Sequence, residues 1–106
     1  MIYLFKQIKY LWQRLIRGYS DYDLLNLDLT IAKFILPRLK TFGKTIDHYP
    51  ASLPTEIIWA DYIDDMIFTF EAKIKYFPDL PANEKELKRY RRGLVAFSRF
   101  YDYLWK

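Results

Sequence analysis

Gly18-Tyr19-Ser20-Asp21-Tyr22-Asp23-Leu24-Leu25-Asn26-Leu27-Asp28 closes one helical pattern and opens the longest one in the chain. Gly18 stands just past a basic helix, where a left-handed cap residue belongs. Ser20 is placed to cap the next helix, its hydroxyl accepting a first-turn backbone N–H. Asp23, three residues on, completes a capping box, and Tyr19 and Leu24 take the hydrophobic-staple positions. Apolar residues spaced by three and four run on both sides of this stretch, so an all-α fold is expected.

Upstream, residues 2–17 read as an amphipathic helix. Leu4, Phe5, Ile8, Leu11, Trp12, Leu15 and Ile16 fill one face, and Tyr3, Lys6, Lys9, Tyr10, Gln13, Arg14 and Arg17 fill the other. The expected arrangement packs the apolar face on a bundle and leaves the basic face in water. A membrane-surface helix and an anion-binding face are the sharper alternatives.

Downstream, residues 21–47 carry the second pattern, with Leu24, Leu27, Ile31, Ile35, Leu39, Phe42 and Ile46 as its stripe. Pro37 cannot donate to the carbonyl of Lys33 and clashes with it, so a kink or break is expected near Leu36-Pro37. The loop 47–54 holds His48 and two prolines and is expected to be structural. Residues 55–77 form the third helix, started by Ser52 or Pro54, with Trp59, Ile63, Met66, Phe70, Ile74 and Phe77 as its core stripe. Pro78 should end it. Residues 84–105 form the fourth, capped by Asn83 with Glu86 completing a capping box. Its core stripe is Leu87, Tyr90, Leu94, Phe97, Tyr101, Leu104 and Trp105. Gly93, a poor helix former, is expected to mark a close helix contact.

With 106 residues the chain has room for one domain, 1–106. The expected fold is a compact bundle of about four helices, the second kinked at Pro37. Aromatic residues make up 20%, which points to a core of large flat side chains rimmed by tyrosines. With no cysteine and one histidine, disulfides and thiolate metal sites are excluded and zinc lacks ligands. No apolar run is long enough to span a bilayer. Lys6, Lys9, Arg14 and Arg17 interrupt the first apolar stretch, so no secretory signal is expected.

The chemistry-bearing patterns favour binding over catalysis. Asp61, Asp64 and Asp65 share one side of the third helix, yet the paired Glu-x-x-Glu and Glu-x-x-Asp spacing of Mg²⁺-dependent all-α nucleotide hydrolases is absent. A solvated acidic face is expected there, and the hydrolase is the weakest reading. Ser20, Ser52 and Ser98 lack a nucleophile elbow, and the three glycines are too scattered to cradle a phosphate. The net charge of +4 suits an anionic partner. Two basic faces carry the candidate ligand-binding residues: Lys85, Lys88, Arg89, Arg92, Arg99 and Tyr103 on the fourth helix, and Lys6, Lys9, Tyr10 and Arg17 on the first. Guanidiniums take phosphates bidentately and tyrosine offers a base a stacking surface, so a nucleotide or other anionic ligand is expected. No enzyme activity, cofactor or metal is expected.

Three blocks extend the pattern. The first is Gly-Tyr-Ser-Asp-x-Asp, then an aromatic residue or Leu, then Asn-Leu-Asp, here Gly18 to Asp28. The second is a Tyr-Pro loop before a tryptophan helix ending in Met-Ile-x-x-Phe-Glu, here Tyr49-Pro50, Trp59 and Met66 to Glu71. The third is Gly93, Leu94, Phe97, Tyr101, Leu104 and Trp105. On these blocks the chain resembles a group of small proteins encoded by tailed bacteriophages, departing from it at Leu25, where that group often has tryptophan. The resemblance implies a phage accessory protein made in the host cytoplasm. By analogy of size and source it implies counter-defence, through sequestration of a cyclic or linear signalling nucleotide. The alternatives are contact with a host defence protein and a structural role as a homo-oligomer. The resemblance carries no functional residue over.

Overall fold

The structure is a computed structural model and describes residues 2–45 and 48–105. The described residues form five α-helices and one 3₁₀ turn, without a strand: α1 (Ile2–Arg17), α2 (Asp21–Leu25), α3 (Leu27–Lys44), α4 (Glu56–Tyr76), α5 (Glu84–Arg99) and the turn Tyr101–Tyr103. The all-α class is as expected, in more pieces than the apolar periodicity suggests. Ile46, the last member of the second stripe, and Asp47 lie outside the described residues. The chain divides into two units, Met1–Ile31 and Ala32–Lys106.

The first unit is set by its link. Gly18 takes φ 84°, which a side chain would oppose, and its N–H closes α1 on the Arg14 carbonyl at 3.0 Å. Ser20 then caps α2 with the full capping box: Ser20 Oγ accepts from the Asp23 N–H at 3.3 Å, and the Asp23 carboxylate accepts from the Ser20 N–H at 2.9 Å. The expected second helix is interrupted at Asn26, whose φ of −131° and ψ of 61° leave the helical region. Asparagine is a weak helix former because its amide competes for backbone partners. Pro37 instead lies inside α3. It and Lys33 are exposed, so water can reach the Lys33 carbonyl that proline leaves without a donor.

The second unit holds the core. Ala32, Leu39, Leu53, Trp59, Ile63, Met66, Phe70, Ala96 and Phe100 pack as one cluster. Helix α4 starts at Thr55, later than Ser52 or Pro54, because Thr55 Oγ1 accepts from the Ile58 N–H at 3.3 Å. Phe77 takes the extended backbone that a residue before proline prefers and ends α4 as expected. Helix α5 begins at the expected cap, with Asn83 Oδ1 accepting from the Glu86 N–H at 3.1 Å. The carboxylate of Glu86 also accepts from the Tyr76 hydroxyl at 2.9 Å, tying α5 to the end of α4.

Gly93 is the close contact its sequence position suggests. A Cβ built there would overlap Thr69 Oγ1 and the Asp65 carbonyl, so α5 lies against α4 at a distance no side chain permits. The Thr69 hydroxyl uses this approach, lying 2.8 Å from the Tyr90 carbonyl oxygen and 3.0 Å from that of Asp65.

The last turns differ from expectation. Helix α5 stops at Arg99, and Phe100 turns into the core with only 1% of its surface exposed. Its ring meets Trp59 edge-on at 5.4 Å and Tyr62 at 4.8 Å. Once the helix ends, Tyr101 and Trp105 lose the register that placed them on the core stripe, while Leu104 stays partly buried against the core. Trp105 is 60% exposed and stacks on His48 at 4.5 Å, while Tyr101 and Leu94 are also exposed and Phe97 is half-buried. Trp59 and Phe70 are buried as expected.

Candidate functional site

Helix α1 presents the reverse of the expected arrangement. Side chains of its basic face pair with α2 while staying partly exposed, and the side chains of its apolar face are exposed. Asp21 draws both Arg17, at 2.6 Å, and Lys9, at 3.5 Å, and Arg14 forks onto Asp23 at 3.0 and 3.3 Å. Gln13 exchanges two hydrogen bonds with Asp21, donating to its carboxylate at 2.8 Å and accepting from its backbone N–H at 2.6 Å. Tyr10 meets Tyr22 at 5.6 Å between ring centres. The link explains the pairing: the first turn of α2 carries two carboxylates, the capping-box Asp23 and Asp21, directly after a reversal, where α1 has cations and amides to offer.

The opposite face carries no charge. Leu4, Phe5, Ile8, Leu11, Trp12, Leu15 and Ile16 span about 140° of the helix at 3.6 residues per turn. They are 46% (Ile8) to 75% (Ile16) exposed. At roughly 200 Å² for a fully exposed large side chain, they offer on the order of 800 Å². Soluble monomers rarely leave an apolar patch of more than a few hundred Å² open, and larger ones mark contact sites.

The pairing of α1 with α2 sets a pH dependence. The hydrogen bond from Gln13, then that from Arg17, lowers the Asp21 carboxyl to about 2. The hydrogen bond from Arg14, then that from the Ser20 N–H, lowers Asp23 to about 2. Both lie below the ordinary carboxylate value of about 4. Their contribution is therefore complete above that value and is lost as pH falls toward 2. Acidification from about pH 5 to about pH 2 is expected to part α1 from α2. The ring resonances of Tyr10 and Tyr22 should shift together over that range, and resonances that stay fixed would contradict the pairing.

The second candidate surface belongs to α5. Lys85, Lys88, Arg89 and Arg92 border a hollow of about 500 Å³ with Phe68 in its wall. The Arg89 guanidinium lies 4.4 Å over the Phe68 ring. Both arginines are held by Asp65: Arg89 Nε donates at 3.1 Å to one oxygen and Arg92 Nε at 3.0 Å to the other. Lys88 pairs with Glu84 at 3.4 Å. Asp65 is thus the counterion of α5, not part of a solvated acidic face, while Asp61 and Asp64 are exposed as expected. Arg99 and Tyr103 fall outside this hollow: Arg99 lies 5.0 Å over Phe100, and Tyr103 sits in the 3₁₀ turn.

Of the expected site residues, Lys85, Lys88, Arg89 and Arg92 are brought together. Lys9, Tyr10 and Arg17 are engaged within the first unit, and Lys6 is exposed. Two residues that sequence reasoning did not assign to this site, Asp65 and Phe68, shape the α5 hollow. A signal was present in the spacing of Asp65 and Phe68 at i, i+3, which puts both on one side of α4. Among the described residues, no group of three His, Asp or Glu side chains gathers as metal ligands, and no helix is long and apolar enough to cross a membrane. No protein-family model, curated protein or solved structure matches the chain.

Proposed function

We propose that this chain is a small, non-enzymatic accessory protein of a tailed bacteriophage. It acts in the host cytoplasm against host defence as a protein–protein contact module, and the apolar face of α1 is the surface through which it meets another polypeptide. The observation that carries this reading is the uncovered seven-residue face, opposite a basic face already occupied by Asp21 and Asp23. Apolar area without a charge in it is what the centre of a protein interface needs, because charged groups there must be desolvated.

A second reading, capture of a nucleotide or other anionic ligand, is favoured by the α5 hollow. Lys85 and Lys88 would meet phosphate there and Phe68 would offer a ring. Three carboxylates, Asp65, Glu84 and Glu86, stand around the same cations and oppose an anion, so this reading ranks behind contact through α1.

Two double variants separate the readings. Trp12→Glu with Leu15→Glu charges the α1 face without touching the core. Arg92→Glu with Arg99→Glu reverses charge on α5. The first pair is expected to abolish activity in infected cells with helix content retained by circular dichroism, and the second to leave activity largely intact. The reverse result would overturn contact through α1 and support the anionic ligand.

A further inference from the structure

We infer that the occupant of the α1 face is a second copy of this chain, joined across a two-fold axis through Leu4 to Ile16. The inference rests on the contact reading above and names its partner. Three observations lead to it.

The first is area. On the order of 800 Å² of uncovered apolar surface is what one partner contributes to a standard-size interface, about 1,600 Å² in all. Burial of this one face would supply most of one side of such an interface.

The second is self-complementarity. A two-fold interface sets the patch against its own copy, residue i meeting j and j meeting i, so charge of a single sign within it would face more of the same sign. The α1 face has none, from Leu4 through Ile16. A different protein partner is usually steered and selected by complementary charge at the contact, and this face offers none to read.

The third is the fate of the basic side chains. An amphipathic helix lying on an anionic membrane turns its apolar face to the acyl chains and its lysines and arginines to the headgroups. Here Lys9, Arg14 and Arg17 are bound to Asp21 and Asp23, which would themselves meet an anionic surface. Three of the four cations that should hold α1 to lipid are thus paired within the chain, leaving Lys6, and a protein face remains the better match.

In the dimer Ile8 lies near both the middle of α1 and the middle of its apolar arc, so the two copies of Ile8 come close to the axis. The chain has no cysteine of its own, so an introduced one reports alone.

Sedimentation equilibrium of the full chain is expected to give a dimer at tens of micromolar. Trp12→Glu with Leu15→Glu should raise the dissociation constant at least roughly a hundredfold, since truncation of central aromatic and aliphatic anchors dominates such interfaces. Ile8→Cys should form a disulfide-linked dimer under mild oxidation, and Ser98→Cys, on the exposed side of α5, should not.

A monomer at those concentrations would overturn the inference. If that monomer still lost activity in infected cells on Trp12→Glu with Leu15→Glu, a host protein would be the occupant, and the contact reading would survive alone. If it bound vesicles of phosphatidylglycerol but not of phosphatidylcholine, an anionic membrane would be the occupant and both readings would fall. A dimer that Trp12→Glu with Leu15→Glu leaves intact would place the interface elsewhere and overturn the inference as well.

Discussion

Gly93→Ala is expected to destabilise the protein by about 3 kcal/mol, at the upper end of the cost of overpacking. Two effects of opposite sign compete. Alanine in a helix interior gains about 1 kcal/mol over glycine from backbone entropy and propensity. The new methyl group, however, would overlap the Thr69 hydroxyl and the Asp65 backbone carbonyl, and a backbone carbonyl in the middle of α4 cannot swing aside. Helix α5 must move off, which also breaks the bond from Thr69 to the Tyr90 carbonyl. The net sign is therefore unfavourable. At roughly 4–8 °C per kcal/mol for a domain near this size, the melting temperature should fall by more than 10 °C. A raised melting temperature would mean that propensity alone operates and that α4 and α5 do not approach so closely.

Phe100→Ala is expected to cost about 3–5 kcal/mol. The ring is buried to 1% and fills the space between Trp59 and Tyr62. Its neighbour one turn back on α5, Ala96, is too short to refill that space. Trp105→Ala, by contrast, removes a larger side chain that is 60% exposed, and should cost well under half as much. Chemical denaturation of the two variants side by side tests the end of α5. Equal costs, or a larger one for Trp105, would return the helix to the longer form that its periodicity suggests.

That contrast shows how far the sequence was legible. Two helix starts were readable because caps are local chemistry: Ser20 and Asn83 each accept the N–H that their positions imply, whereas α4 starts at Thr55 and not at Ser52 or Pro54. Gly93 was readable because a glycine amid long side chains has few reasons to persist in a helix. The end of α5 was not readable. No glycine or proline follows Arg99, and the helix stops because Phe100 finds a pocket made by Trp59 and Tyr62, residues some forty positions away. The break at Asn26 had a weak local signal, overshadowed by the stronger one at Pro37.

The α1 face teaches a different point. Periodicity reveals that one side of a helix is apolar, but not which surface covers it. The seven apolar side chains are exposed, and electrostatics accounts for which side of α1 meets α2. Asp21 and Asp23, read as cap residues, also serve as the counterions of Lys9, Arg14 and Arg17, and so they recruit the basic face of α1. The basic residues expected to greet a ligand there are largely occupied in holding the first unit together. The α5 hollow was half legible: its cations were read from the sequence, while Asp65, the carboxylate that restrains Arg89 and Arg92, comes from α4 and becomes visible only in three dimensions.

The central claim, that the apolar face of α1 is covered when the protein works, is tested most directly by thiol labelling of Ile8→Cys. The rate of reaction with a membrane-permeant maleimide would be measured in infected cells and again on purified protein diluted to nanomolar concentration. Ser98→Cys, on the exposed side of α5, serves as the reference. Labelling at position 8 is expected to be at least tenfold slower than at position 98 in cells, and comparable to it on dilution. Equal rates at the two positions in cells would contradict the claim, and slow labelling at position 8 even on dilution would show the face covered within a single chain.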